Sequence, residues 1–338
     1  MQIKNSIGTI LLCAFISLEI SAQDLHYSQF YNSPQNLNPA QTGIFNGDHR
    51  FMLSHRDQWR YVPVPWTTFS GAYDTNIVPF DNDKTFYGIG VNVNYDRQGD
   101  SKLTLLNIGL NGAIHAKLNE KNILSGGLNL GVANRGFDTK SLRWEKQWDG
   151  DVFNTSLPSQ DIFQNTERVT FMELGLGGNY RYQKSSRTHL DLGVAVHHLL
   201  EPKVSFAGDS EAKLPRRFTF SGVGNVRLTE KVDMQLHALH QIQDKYKETI
   251  FGGLGKLHLN QDPGKELQIH LGLGYRTSKS WIPIAAIQYN QWYLSFNLDA
   301  DRTDFNQAFN TSRGAYELHL RYIIKNVKPF RYKNCPIL

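Results

Sequence analysis

The sequence predicts an all-β protein, a transmembrane outer-membrane β-barrel of about fourteen antiparallel strands. Three observations carry this. Apolar residues alternate with polar or small ones along most of the chain, the period of a strand whose successive side chains face opposite sides. The alternating stretches are long: Leu103 to Leu118 keeps the pattern for more than a dozen residues, against about 5–6 in a usual soluble strand and about 9–11 in a bilayer-spanning one. Aromatics stand at the ends of these stretches, where barrel girdles meet the membrane interface. A soluble β-sandwich also alternates, so strand length and aromatic placement separate the two.

Composition agrees. A mean hydropathy of −0.43 leaves no room for the runs of about 20 apolar residues that helical membrane proteins need. Aromatics at 12% and charges of both signs exclude a disordered chain. The net charge of +5 comes from Lys and Arg scattered without runs, which excludes a nucleic-acid-binding tract.

In chain order, Lys4, the apolar stretch Ile7 to Phe15 and the small pair Ser21-Ala22 form a signal peptide over residues 1–22 with cleavage after Ala22. Glu19 interrupts the apolar stretch and argues against a membrane anchor. Leu12 before Cys13 argues against a lipid anchor. Cleavage leaves Cys335 as the lone cysteine, so no intramolecular disulfide is expected. Residues 23–48, rich in Asn, Gln and Pro, read as an extended periplasmic or lumen-entering segment. The barrel follows over 49–324 and a periplasmic tail over 325–338.

Strands are expected to begin near 49, 66, 85, 102, 122, 168, 187, 215, 231, 246, 266, 281, 291 and 312. Tyr87, Ile89, Val91, Val93 and Tyr95 alternate with Gly88, Gly90, Asn92 and Asn94. Leu106–Leu118, Leu124–Val132, Met172–Tyr182 and Leu190–Val196 behave alike. Leu267, Ile269, Leu271, Leu273 and Tyr275 alternate with Gln268, His270, Gly272, Gly274 and Arg276. Trp292–Asp299 and Tyr316–Tyr322 repeat the pattern. An even strand number lets the sheet close, leaving no unpaired backbone edge in lipid. The short connections 119–121, 184–186, 230 and 290 alternate with the long ones 136–167, 201–214 and 302–311. Short periplasmic turns and long outer loops account for that parity, with 260–265 the exception. No domain boundary, internal repeat or low-complexity tract interrupts the chain.

No catalytic residue, cofactor site or metal site is expected. His197 and His198 are adjacent, so on a strand at most one reaches the lumen. His237 and His240 have opposite parity and make a poor metal pair. No serine lies in a nucleophile-elbow pattern. The glycine-rich pieces Gly88-x-Gly90 and Gly252-Gly253 lack the helix and lysine of a phosphate cradle. Asp149-Gly150-Asp151 reads as a turn. Trp144 and Trp148 in the same long loop are either partner anchors or packing for the barrel mouth.

One motif goes further. Residues 29–43 read QFYNSPQNLNPAQTG, and HRDQW follows at 55–59. This opening, with Asn38, Pro39, Ala40 and Gly43, and the Arg56-x-Gln58-Trp59 end of the first strand resemble the PorP/SprF family of the type IX secretion system. The Gly314–Leu318 strand and the Cys335-Pro336 ending are also similar, with Ile337 departing from the usual basic residue. The resemblance spans the chain after the signal. It implies a fourteen-strand outer-membrane barrel of the secretion and gliding apparatus. It implies as partners the periplasmic secretion components and a secreted surface protein carrying a type-B C-terminal domain. It brings no catalytic residues. Locally, Asn38 before Pro39 is held extended, Gly43 permits a sharp turn, and Arg56 and Gln58 share the polar face with Ser54. A solute channel is the competing reading, distinguished by whether residues 23–48 fill the lumen.

Overall fold

The computed structural model describes residues 24–58, 65–79, 84–99, 101–138, 142–158, 167–206, 212–301 and 314–325. Residues 1–23, where the signal peptide is expected, Trp59, residues 302–313 and the tail with Cys335-Pro336 lie outside these. Fourteen strands run β1 His49–Gln58, β2 Trp66–Ile77, β3 Thr85–Gln98, β4 Leu103–Lys117, β5 Asn122–Gly136, β6 Arg168–Gln183, β7 His189–His197, β8 Arg217–Arg227, β9 Val232–Gln243, β10 Tyr246–Asn260, β11 Leu267–Arg276, β12 Ser280–Tyr289, β13 Trp292–Asp301 and β14 Ala315–Ile324. Each pairs antiparallel with its sequence neighbours, and β1 closes on β14. The onsets at Leu103, His189, Arg217, Val232, Leu267, Trp292 and Ala315 fall one to three residues later than the pattern predicts, and that at Ser280 one earlier. Among the described residues no helix is long and apolar enough to cross a membrane.

Alternation sorts the side chains. Leu110, Met172 and Leu271 are more than 60% exposed on the exterior, while Asn111, Glu173 and His270 beside them are buried inside. In water such an apolar exterior would be unfavourable; in a bilayer it is solvated. Aromatics flank the aliphatic belt. Trp292 packs on Tyr322 at one rim (4.4 Å between centroids) and Trp281 on Tyr275 at the other (4.9 Å). A ten-residue strand tilted about 40–45° rises about 24–26 Å, the height of a barrel's apolar band.

The two rims differ. The rim where β1 begins carries the connections 78–84, 118–121, 184–188, 228–231, 261–266 and 290–291. The opposite rim carries 137–167, 198–216 and 302–314, together with tight turns at 244–245 and 277–279. Short turns belong to the periplasmic side and long loops to the outside, which names the inner and outer mouths.

Residues 24–48 lie inside the barrel. Asp24 sits at the outer mouth against Arg217 and His198. The segment then descends, and Asp48 donates to the carbonyl of Ile324 at the inner mouth (2.8 Å). It is compact rather than extended: 3-10 turns at Phe30–Asn32 and Pro39–Gln41 flank the single helical turn α1, Pro34–Leu37. Phe30 and Leu37 pack on Leu239, Ile250, Leu254, Ile282 and Ile284 of β9, β10 and β12. This apolar patch is the clustered exception in a largely polar lumen wall. Burying each large side chain contributes about 1.5–3 kcal/mol.

Candidate functional site

The site is the interface between this plug and the lumen wall, held at five levels. Near the outer side, β-barrel closure sets Arg56 of β1 directly opposite Glu317 of β14. Glu317 is fully buried and pairs with the Arg56 guanidinium. Its carboxylate also accepts the backbone N–H groups of Ser28 (2.7 Å) and Gln29 (3.0 Å) and contacts His319 Nε2 (3.1 Å). Ser28 Oγ accepts from Arg56 (3.0 Å) and Arg276 (2.5 Å) and donates to Asp299. Arg276 reaches Glu248 and Asp299 as well (3.0 and 3.2 Å). The charges so compensate one another within the lumen, the condition for burying them.

One level down, Asn36 exchanges hydrogen bonds with Asn94 (2.8 and 2.9 Å) and accepts from Asn92 (3.0 Å). These are the polar partners of the alternating strand β3. Below them Asn38 caps the second 3-10 turn. Its Oδ1 accepts from the Ala40 N–H (2.9 Å), and its Nδ2 donates to the carbonyls of Gly178 and Val194 (2.9 and 3.2 Å). Asn38–Ala40 lies in a trough of glycines. A Cβ on Gly127 would overlap the backbone of Pro39 and Ala40, and one on Gly177 would overlap the Asn38 amide.

At the inner mouth Gly43 has φ +77°, a conformation glycine adopts without strain. Its N–H donates to Asp74 (2.7 Å), which Arg50 grips with two bonds (2.9 and 2.6 Å). Gly43 packs face to face on Gly88, where a side chain on either would clash. His115 Nε2 meets the Thr42 carbonyl and its Nδ1 the Ser125 hydroxyl, both at 2.8 Å. A carbonyl only accepts, so Nε2 carries the proton.

The fifth contact is the latch at the outer mouth. His198 touches Asp24 (2.8 Å) and Glu173 (2.5 Å), and Arg217 reaches Asp24 (2.7 Å). Both His197 and His198 face the lumen, where strand parity would admit only one. β7 ends at His197, and His198 turns back at φ +56°, so both are buried inside. His197 donates to the Leu37 carbonyl (3.2 Å). Burial would lower the pKa of His198, but the Asp24 and Glu173 carboxylates outweigh it and push it up to about 9. Burial likewise opposes ionisation of Asp24, yet Arg217 and His198 hold its carboxyl well below the usual range. A histidine whose folded pKa is raised stabilises fully below its ordinary 6.5 and loses that contribution as pH rises through about 9. Protection of residues 24–30 in hydrogen exchange is therefore expected to fall between pH 6.5 and 10 in the native protein and to be low and pH-insensitive over that range in His198→Gln. Undiminished protection at pH 10 would refute the latch.

Among the residues named by the sequence, Asn38, Pro39, Ala40, Gly43 and Arg56 converge on the plug interface. Gln58 is half-buried at the end of β1, level with Trp66 and Ala315. Trp144 and Trp148 are elsewhere, in the loop segment 142–158. There the 3-10 turn Glu145–Gln147 leads to a bridge between Trp148 and Phe153, whose rings stack edge-on at 4.9 Å. Asp149 Oδ1 accepts from the N–H groups of Asp151 and Val152 (2.9 Å each) and closes the turn. Trp148 is 48% exposed and Val152 58%; Trp144 is half-buried. Glu317, Asp299, Asp74, Gly127 and Gly177 hold the plug as well, and neither motif marks them. Glu317 was within reach, because closure of an even antiparallel barrel pairs β1 with β14, and parity puts both Arg56 and Glu317 inside. Among the described residues no group of three or more His, Cys, Asp or Glu is placed to hold a metal ion.

A closed sheet that exposes aliphatic side chains outward and carries its own leading segment inside its lumen is an outer-membrane β-barrel protein with an internal plug. Solved barrels share the architecture. A FadL homologue of Pseudomonas aeruginosa is similar at 11% identity and a TM-score of 0.50, over 84% of this chain and 92% of that one. The toluene transporter TbuX of Ralstonia pickettii has 10% identity and a TM-score of 0.49, over 86% and 92%. At such identity the likeness is one of fold. No curated protein matches. Residues 19–322 match the family described as type IX secretion system membrane protein PorP/SprF, and the chain belongs to that family. It is an outer-membrane component of that system.

Proposed function

We propose that the protein is a non-enzymatic docking component that supports secretion or surface attachment of a cargo protein with a type-B C-terminal domain. Partners engage its outer loops and periplasmic segments. The observation that carries this reading is the plug: a lumen occupied from mouth to mouth by hydrogen-bonded chain suits a fixed platform better than a conduit for solutes. Family membership supports the link to the secretion components. The ordered loop 142–158 offers the contact surface, since Trp148, Val152 and Phe153 expose apolar area on the outer side. Buried aromatic anchors at protein interfaces typically contribute about 2 kcal/mol or more, so a Trp148→Ala/Phe153→Ala variant is expected to lose cargo in co-purification by at least about tenfold. Cargo recovered at the native level would remove the loop from the interface. The native barrel is expected to be electrically silent in planar bilayers; a robust open pore would favour the channel reading instead.

A further inference from the structure

We propose that the inner mouth of the lumen is a binding site for an acidic peptide segment, held between Lys256 and Arg321. Four lumen-facing residues form a continuous belt, one to four residues from the inner ends of their strands. Lys256 of β10 is paired in register with His270 of β11, and Tyr293 of β13 with Arg321 of β14. His270 stands 5.5 Å from the Tyr293 ring, and the Arg321 guanidinium lies 4.4 Å over that ring.

The charge count at this mouth is uneven. Three arginines there each have an aspartate: Arg50 with Asp74, Arg181 with Asp191 and Arg187 with Asp233. Asp233 is further engaged by His258 (3.0 Å). Lys256 and Arg321 have no ion pair among the described residues, and each lies within electrostatic range of the other; Asp233, in register with Lys256 across β9, is the one carboxylate in its range and is already shared by Arg187 and His258. Keeping two like charges together in a half-buried lumen is unfavourable unless an anion joins them.

Hydrogen-bonding capacity is also unused there. Gln235, 8% exposed, has a buried Nε2 without a partner, and His237, 4% exposed, has two unpartnered ring nitrogens. Buried polar groups are nearly always satisfied, so orphaned donors beside orphaned cations mark a place for an acceptor. The plug residues on this wall, Phe30 and Tyr31, pack their rings on His237 (5.8 and 4.8 Å) and carry no carboxylate. The plug's lower part, residues 39–43, is bound to β2–β6 on the opposite wall. Carboxylates satisfy the cations, and peptide carbonyls suit the amides of Gln235, Gln268 and Gln288, which favours an acidic peptide over a bare anion. The C-terminal segment 325–338 leaves from this same rim, but its four Lys and Arg residues make it the wrong sign. This inference does not depend on the outer-loop reading of cargo binding.

The test uses the full-length protein in detergent and a fluorescent hexaglutamate peptide, read by anisotropy. Binding is expected to weaken about tenfold or more in Lys256→Gln/Arg321→Gln, to weaken with salt, and to be absent for hexaglutamine. A Lys231→Gln/Lys265→Gln control removes two exposed cations from the same rim and should bind like the native protein. Heat-dependent gel migration verifies that each barrel is closed. Equal binding by the double variant, equal loss in the control, or displacement by inorganic phosphate as effective as by unlabelled hexaglutamate would overturn the proposal.

Discussion

Replacing Glu317 by alanine is expected to unseat the plug and open the barrel to ions. Glu317 joins both family motifs. It pairs with Arg56 of the first strand and accepts the Ser28 and Gln29 backbone amides of the plug. Removing one partner of a buried ion pair costs about 3–5 kcal/mol, because the remaining charge stays desolvated. Each buried amide left without an acceptor adds about 1–3 kcal/mol. Asp299 remains near Arg56 (3.1 Å) and recovers part of the loss. The strands keep their ladders, so the molecule relieves the penalty by letting water and Ser28 exchange places. Bilayer recordings should show conductance absent from the native protein, and proteases should cut within residues 24–48. A variant as silent and as protected as the native barrel would refute the assignment of Glu317 as the main tether.

Gly127→Val should have a comparable effect from the other side of the lumen. Its side chain would occupy the space of the Pro39 and Ala40 backbone, and backbone cannot step aside by changing rotamer. Asn38 would then lose its bonds to Gly178 and Val194, about 0.5–1.5 kcal/mol each, and the trough its close packing. Gly177→Val acts on Asn38 directly. Gly112 faces outward, where an added Cβ would have nothing within 4 Å, so Gly112→Val should leave plug and barrel unchanged. Conductance and thermal unfolding of the three variants separate the cases. Indistinguishable behaviour of Gly127→Val and Gly112→Val would show that the trough does not hold the plug.

The lumen wall shows where sequence patterns stop being informative. Parity correctly puts Asn92, Asn94, His270 and Arg276 inside, because a two-residue period survives any tilt of the strand. It fails at His198, one residue past the end of β7, where a left-handed backbone turns the ring inward. It also gives no warning of Leu239, Ile250, Leu254 and Ile282 inside, because an inward leucine and an outward one look alike until something apolar is found to cover it. Phe30 and Leu37 provide that cover from the far end of the chain.

By itself the sequence determined the barrel, its fourteen strands, the side faced by the alternating residues within most of them and the positions of the two motifs. These are local properties, set by alternation, strand length and turn chemistry. The tertiary structure decided that the leading segment threads the lumen, that its outer end is latched by His198, and that Glu317 ties one motif to the other. It also decided that Lys256 and Arg321 are left without ion-pair partners among the described residues. Those facts depend on which strands become neighbours when the sheet closes and on what then fits inside. Closure brings Ser28, Arg56, Asp299 and Glu317 together, and no local pattern encodes that meeting.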